Sequence, residues 1–173
     1  MKPARHGVAL AGRLAKLAMT ASLAAFALLV TFNNLVDYGS NALFVRHVLS
    51  MDTIFPDSLL IGRAWPMPWA WHLGYAAIIT GEFCTGCAFA FAAVAMLRAL
   101  GGPAAEFERA KAGVHIGAAI GFLVWFTGFM VIGGEWFVMW QSHIWNGQEP
   151  AFRFFITLLA VLIYVNQPEP VSA

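Results

Sequence analysis

The residues from Trp69 to Leu97 read WAWHLGYAAIITGEFCTGCAFAFAAVAML, and Glu82 is the one Asp, Glu, Lys or Arg among them. Coiled as an α-helix, this stretch exceeds the roughly 30 Å of hydrocarbon in a bilayer. An apolar run this long and this poor in charge reads as a membrane-spanning helix. Three further stretches meet the same test: Leu14 to Val36, Ala112 to Ile132, and Pro150 to Val165. The last is short, but a helix starting at Pro150 needs no backbone donor there, and Arg153 can extend its head to the interface. The predicted fold is all-α: a membrane-embedded four-helix bundle in one domain, 1–173, whose segments 37–68 and 133–149 form a small outer, periplasmic cap.

Composition supports this class. The chain has 173 residues, 60% of them hydrophobic and 11% charged, where ordinary globular proteins are about 25% charged. Mean hydropathy is +0.71. A soluble domain of this size has too much surface to cover with so few charges. Soluble enzymes and disordered tails are excluded. The net charge of +1 excludes a nucleic-acid partner, because no basic surface is available for phosphates.

Lys2, Arg5, Arg13 and Lys16 make a basic leader before the first run, and Ala25-Phe26-Ala27 resembles a signal-peptide cleavage site. Apolar residues continue through it to Phe32, so an uncleaved span is expected. With the N-terminus inside, inner segments hold Lys2, Arg5, Arg13, Lys16, Arg98, Arg109 and Lys111. Outer segments hold Arg46, Arg63 and Arg153. This asymmetry predicts cytoplasmic termini. Six of the seven tryptophans (65, 69, 71, 136, 140 and 145) then fall at the outer end, where the ring suits the interface.

Two stretches are expected to carry no structure of consequence. Glu106 to Lys111 reads as a solvated turn of helix after the Gly101-Gly102-Pro103 break. Gln167-Pro168-Glu169-Pro170 is too polar and proline-rich to fold. In the first outer segment, Asn41 to Met51 reads as a short amphipathic helix on the interface.

Candidate chemistry is sparse. Glu82, near the middle of its span, must face the bundle interior, paired or neutral. It is either a proton, cation or quinone site, or a carboxyl bonded to Thr80, Thr85 or another helix. Cys84 and Cys87 share a helix face and are either a redox pair or half of a metal site, or simply packed thiols, the reading favoured here. His72 with His47 or His143 could hold a haem, and Asp37, Asp52 or Glu135 could complete a metal site; histidines bonded within the cap explain the same residues, and no metal is assigned. Gly113, Gly117, Gly121 and Gly128 mark a close-packing face on the third span, with Ala18, Ala21 and Ala25 of the first span as its expected neighbour. No nucleotide-binding or nucleophile motif is present.

The outer segments are the most distinctive text. One contains Asp37 to Asn41, Phe44 to Thr53 and Pro56 to Ser58; the other contains Gly134 to Ser142, Trp145 to Gln148 and Ala151 to Arg153. Across essentially its whole length the chain resembles a bacterial family of predicted small integral membrane proteins, domain of unknown function 2165. The resemblance implies a four-span protein of the bacterial inner membrane, and no activity or catalytic residue.

The expected function is a non-catalytic accessory, anchor or assembly role, exercised through the cap on a membrane or periplasmic protein or a second copy of the chain. Arg46, Trp136, Trp140 and Arg153 are residues of the kind that form interfaces. No cofactor is expected on this reading. The alternatives are a redox subunit binding haem or quinone, and a proton or ion conduit centred on Glu82.

Overall fold

The computed structural model describes the backbone of residues 2–169 and the side chains of residues 7–169. It is all-helical, with no strand among the described residues. Helix α1 is Lys2–Val36, α2 is Tyr38–Ser50, and α3 is Pro68–Arg98. A third long helix runs from Ala104 to Trp136 in three parts. These are α4 (Ala104–Ala110), α5 (Ala112–Phe122) and a π-helical continuation, Leu123–Trp136. Helix α6 is Gln148–Val165. Four helices are long and apolar enough to cross a membrane: Gly7–Val36, Pro68–Arg98, Ala104–Trp136 and Gln148–Val165.

The boundaries have local causes. Pro68 opens α3 at a position where its missing N–H costs nothing. Helix α6 begins two residues before Pro150, where Asn146 Oδ1 accepts from the Gln148 N–H at 3.1 Å. Helix α2 stops at Met51, which takes a left-handed backbone (φ 52°).

Helix α3 packs between α1 and α5, α5 and its continuation pack on α6, and α6 returns to α1. Lipid offers no hydrophobic gain for helix association, so close packing must supply it. A Cβ on Gly113 would lie 3.0 Å from the Ala92 methyl, one on Gly117 3.1 Å from the Phe89 ring, and one on Gly121 2.6 Å from Leu158. The glycine face therefore meets α3 and α6, and the alanine run of α1 is not its neighbour. Gly128 leaves this face: a Cβ there would meet only the Leu123 carbonyl, at 3.7 Å. Large apolar side chains such as Phe32, Phe91, Leu123 and Ile163 point outward, as lipid contact requires.

The two stretches expected to be idle are built in. Phe107 and Lys111 are buried. Lys111 Nζ donates to Glu108 Oε1 at 2.9 Å and to the Gln167 carbonyl at 3.0 Å. Glu169 is buried between Arg13 (2.9 Å) and Lys16 (2.8 Å). Three cations from two helices create a site that a polar tail can fill, which composition alone does not register. Pro170 lies outside the described residues.

Candidate functional site

Glu82 is 3% exposed, and its partner comes from another helix. Asn34 Nδ2 donates to Glu82 Oε2 at 2.7 Å, and Asn41 Nδ2 donates to Asn34 Oδ1 at 2.7 Å. The Tyr75 hydroxyl donates to the Asn34 carbonyl at 3.1 Å. Tyr38 stands against Tyr75 at 4.7 Å between ring centres, and its hydroxyl lies 2.9 Å from His72 Nδ1. His72, Tyr75 and Glu82 fall within about 80° on α3. One face of α3 thus carries a polar file from Glu82 to the exposed His72. Thr85 does not join it, because its hydroxyl donates to the Gly81 carbonyl of its own helix.

Glu82 is central in α3 but not central in the bundle. Asn34 belongs to the last turn of α1. Glu82 therefore sits level with the end of α1 that meets the connecting layer. Towards the opposite end of the helices the polar file stops. A Cβ on Gly86 would lie 2.7 Å from Leu28, and Ala27, Phe89 and Met96 are wholly buried beyond it.

Helix α2 lies across α3. Tyr38, Arg46 and Leu49 span three turns of α2, yet the α3 residues they meet, Trp71, His72, Gly74 and Tyr75, span little more than one turn. Above this crossing the two long connections pack on each other. Val48, Met51, Phe137, Val138 and Met139 form a small apolar core of their own. Polar ties reinforce it: Thr53 donates to Ser142 at 2.9 Å, and the Phe55 N–H to Gln141 at 3.2 Å. Arg63 reaches the Glu135 and Trp136 carbonyls and covers the Trp136 ring at 5.1 Å.

The residues singled out in the sequence are distributed through this layer. His47 pairs with Asp52 at 2.9 Å and stacks on Trp145. Arg46 lies over Trp71 at 5.4 Å. Asp37, Glu135 and His143 are exposed, and Arg153 pairs with Glu149 on the surface of α6. Trp136 and Trp140 are half exposed. No group of three or more His, Cys, Asp or Glu among the described residues is placed to hold a metal ion. The two thiols are free, and Cys84 is exposed rather than packed inside.

Sequence reading missed Asn34, the partner of Glu82, and the residues that extend the file from it, Asn41, Tyr75 and Tyr38. The available signal was Asn33-Asn34 at the end of an otherwise apolar run. It also missed Gln141, Ser142 and Thr53, ordinary polar residues whose pairing depends on tertiary contact.

Four spans and a built connecting layer describe a class of membrane protein. The family model described as predicted small integral membrane protein (DUF2165) matches residues 12–168. The chain belongs to this family. As a DUF2165 protein it is an integral membrane protein whose helices sit in a lipid bilayer. No curated protein and no solved structure matches the chain.

Proposed function

We propose that this DUF2165 protein is a non-catalytic accessory protein of the bacterial inner membrane, with cytoplasmic termini, that presents the connecting layer outward to a second membrane protein. The observation that carries the reading is the surface of that layer. Leu59 is 97% exposed and Ile144 77% exposed. Phe55 and Trp140, in edge contact with each other, are also exposed. A layer with its own core and ties that still shows such side chains has the makings of an interface: rigid, apolar and aromatic. Arg13, Lys16, Arg98, Arg109 and Lys111 belong to the end away from the layer, in keeping with cytoplasmic termini.

The test is affinity purification in mild detergent, with partners identified by mass spectrometry. Wild type is expected to retain a reproducible partner, and Leu59→Asp with Ile144→Asp to lose it while helical content and monodispersity persist. If no partner recurs, or if the double variant keeps it, the accessory reading is wrong.

The redox reading has one observation in its favour. Asp52 and Tyr38 engage Nδ1 of His47 and His72, which leaves Nε2 of each ring oriented, as partners of metal-bound imidazoles do. An absorption spectrum of the natively purified protein tests its haem form: a Soret band would favour haem, and its absence would remove haem from this reading.

A further inference from the structure

The face of α3 about a quarter-turn from Glu82 borders a cavity of about 390 Å³. All sixteen residues that line it are apolar or glycine. Gly74, Ala77, Ile78 and Gly81 of α3 form one wall. The π-helix forms the opposite wall, with Leu123, Gly128 and Gly133 in one file and Val124 and Phe129 in the next. In an α-helix a step of five residues turns about 140°, so these residues would point in different directions. A winding that bonds each residue to the fifth one on brings them to the same side. The π-helix thus builds the wall, and such windings are concentrated at functional sites.

The cavity is closed towards the connecting layer by Phe44, Val48, Phe137 and Met139. It is not closed sideways, since Ala77, Leu123 and Ile132 of its lining are exposed on the lipid-facing surface. No side chain in it offers water a hydrogen bond. An apolar cavity of about 150 Å³ already stays dry and takes up a benzene-sized molecule, and this one is more than twice as large. Left empty, it would forfeit packing along every wall.

We propose that this cavity binds a hydrocarbon chain entering laterally from the bilayer, namely one acyl chain of a membrane phospholipid. The bilayer is the phase its rim faces, and it supplies such chains at high local concentration. The layer above bars entry from water, which a soluble lipophile would need. Gly128 is the control point: it lines the cavity, and a Cβ there meets only the Leu123 carbonyl at an ordinary 3.7 Å, so a larger residue takes up cavity space from this wall.

The full chain is reconstituted in phosphatidylethanolamine–phosphatidylglycerol vesicles containing a trace phospholipid with a photoactivatable diazirine on its acyl chain. Adducts are mapped by mass spectrometry. They are expected to concentrate on residues 74–81 and 120–133, and to fall several-fold there in Gly128→Leu. Labelling at the outward-facing Phe91 and Ile163 should stay constant. Labelling spread evenly over the lipid-facing surface, or unchanged in Gly128→Leu, overturns the proposal. A parallel arm carries the diazirine on an isoprenoid at equal mole fraction, and preferential labelling of the cavity by that probe overturns the acyl assignment. Should Gly128→Leu fail to fold, Ala77→Phe narrows the same rim from α3 and must give the same fall.

Discussion

At Glu82 the deciding quantity is the balance between desolvation and one hydrogen bond. Its carboxyl and the Asn34 amide are both buried and 2.7 Å apart. Removing one partner strands the other, which costs about 1–3 kcal/mol. Asn34→Leu is therefore expected to lower stability by about that amount in thermal melts in detergent. Glu82→Gln keeps an oxygen for the Asn34 amide and should cost less than about 1 kcal/mol. An equal loss in both variants would mean that the carboxyl itself matters to the fold as well as its hydrogen bond to Asn34. Glu82 was legible because a charge in an apolar run is conspicuous. Asn34 was not, because a neutral amide near a helix end is ordinary until the facing helix is known.

At the scale of the element, the third long helix shows what periodicity reads and what it does not. Gly113, Gly117 and Gly121 recur every four residues and meet α3 and α6 closely. Seven further residues of α-helix would have kept Gly128 on that face, but the change of winding at Leu123 takes it to the cavity. Pattern arguments assume a fixed turn, and nothing in the apolar text of Leu123 to Trp136 announces a wider one. The contrast is measurable. Gly86→Ala drives a methyl to within 2.7 Å of Leu28 and is expected to destabilise by about 1–3 kcal/mol. Gly128→Ala brings its methyl only to an ordinary 3.7 Å from the Leu123 carbonyl and should change stability by less than about 1 kcal/mol in either direction. Comparable melting temperatures for the two variants would contradict the packing assigned to α1 and α3.

At the scale of the whole molecule, the chain is clasped at the end opposite the connecting layer. Arg13 donates to Glu169 and to the Leu100 and Gly102 carbonyls, and Lys16 and Lys111 donate to the Gln167 carbonyl. The clasp joins α1, the turn after α3, the junction of α4 and α5, and the tail. Burial works to raise the Glu169 carboxyl, but hydrogen bonds from Lys16 and Arg13 and the charge of Lys111 outweigh it and hold the carboxyl below its usual range. A depressed carboxyl stabilises the fold fully above the unfolded-chain value of about 4.3. That contribution is lost as pH falls from there through the lower folded value. Acid melts of wild type should steepen in this window, and Glu169→Gln should be less stable at neutral pH and flatter in acid. A variant that tracks wild type across the window would show the clasp to be inert.

Membrane residence, four spans and the distinctive connecting segments were all determined by the sequence itself. Each rests on a local sum: enough apolar residues in a row to cross the hydrocarbon, and too few charges to live in water. Three features were decided only by tertiary structure. These are the partner of Glu82, the anchoring of the tail by Glu169, and the cavity beside the π-helix. The reason is the same in each case. A buried polar group, a charge cluster and a void are defined by what lies opposite, and residues as distant as Lys16 and Glu169, or Asn34 and Glu82, become neighbours only when the helices pack.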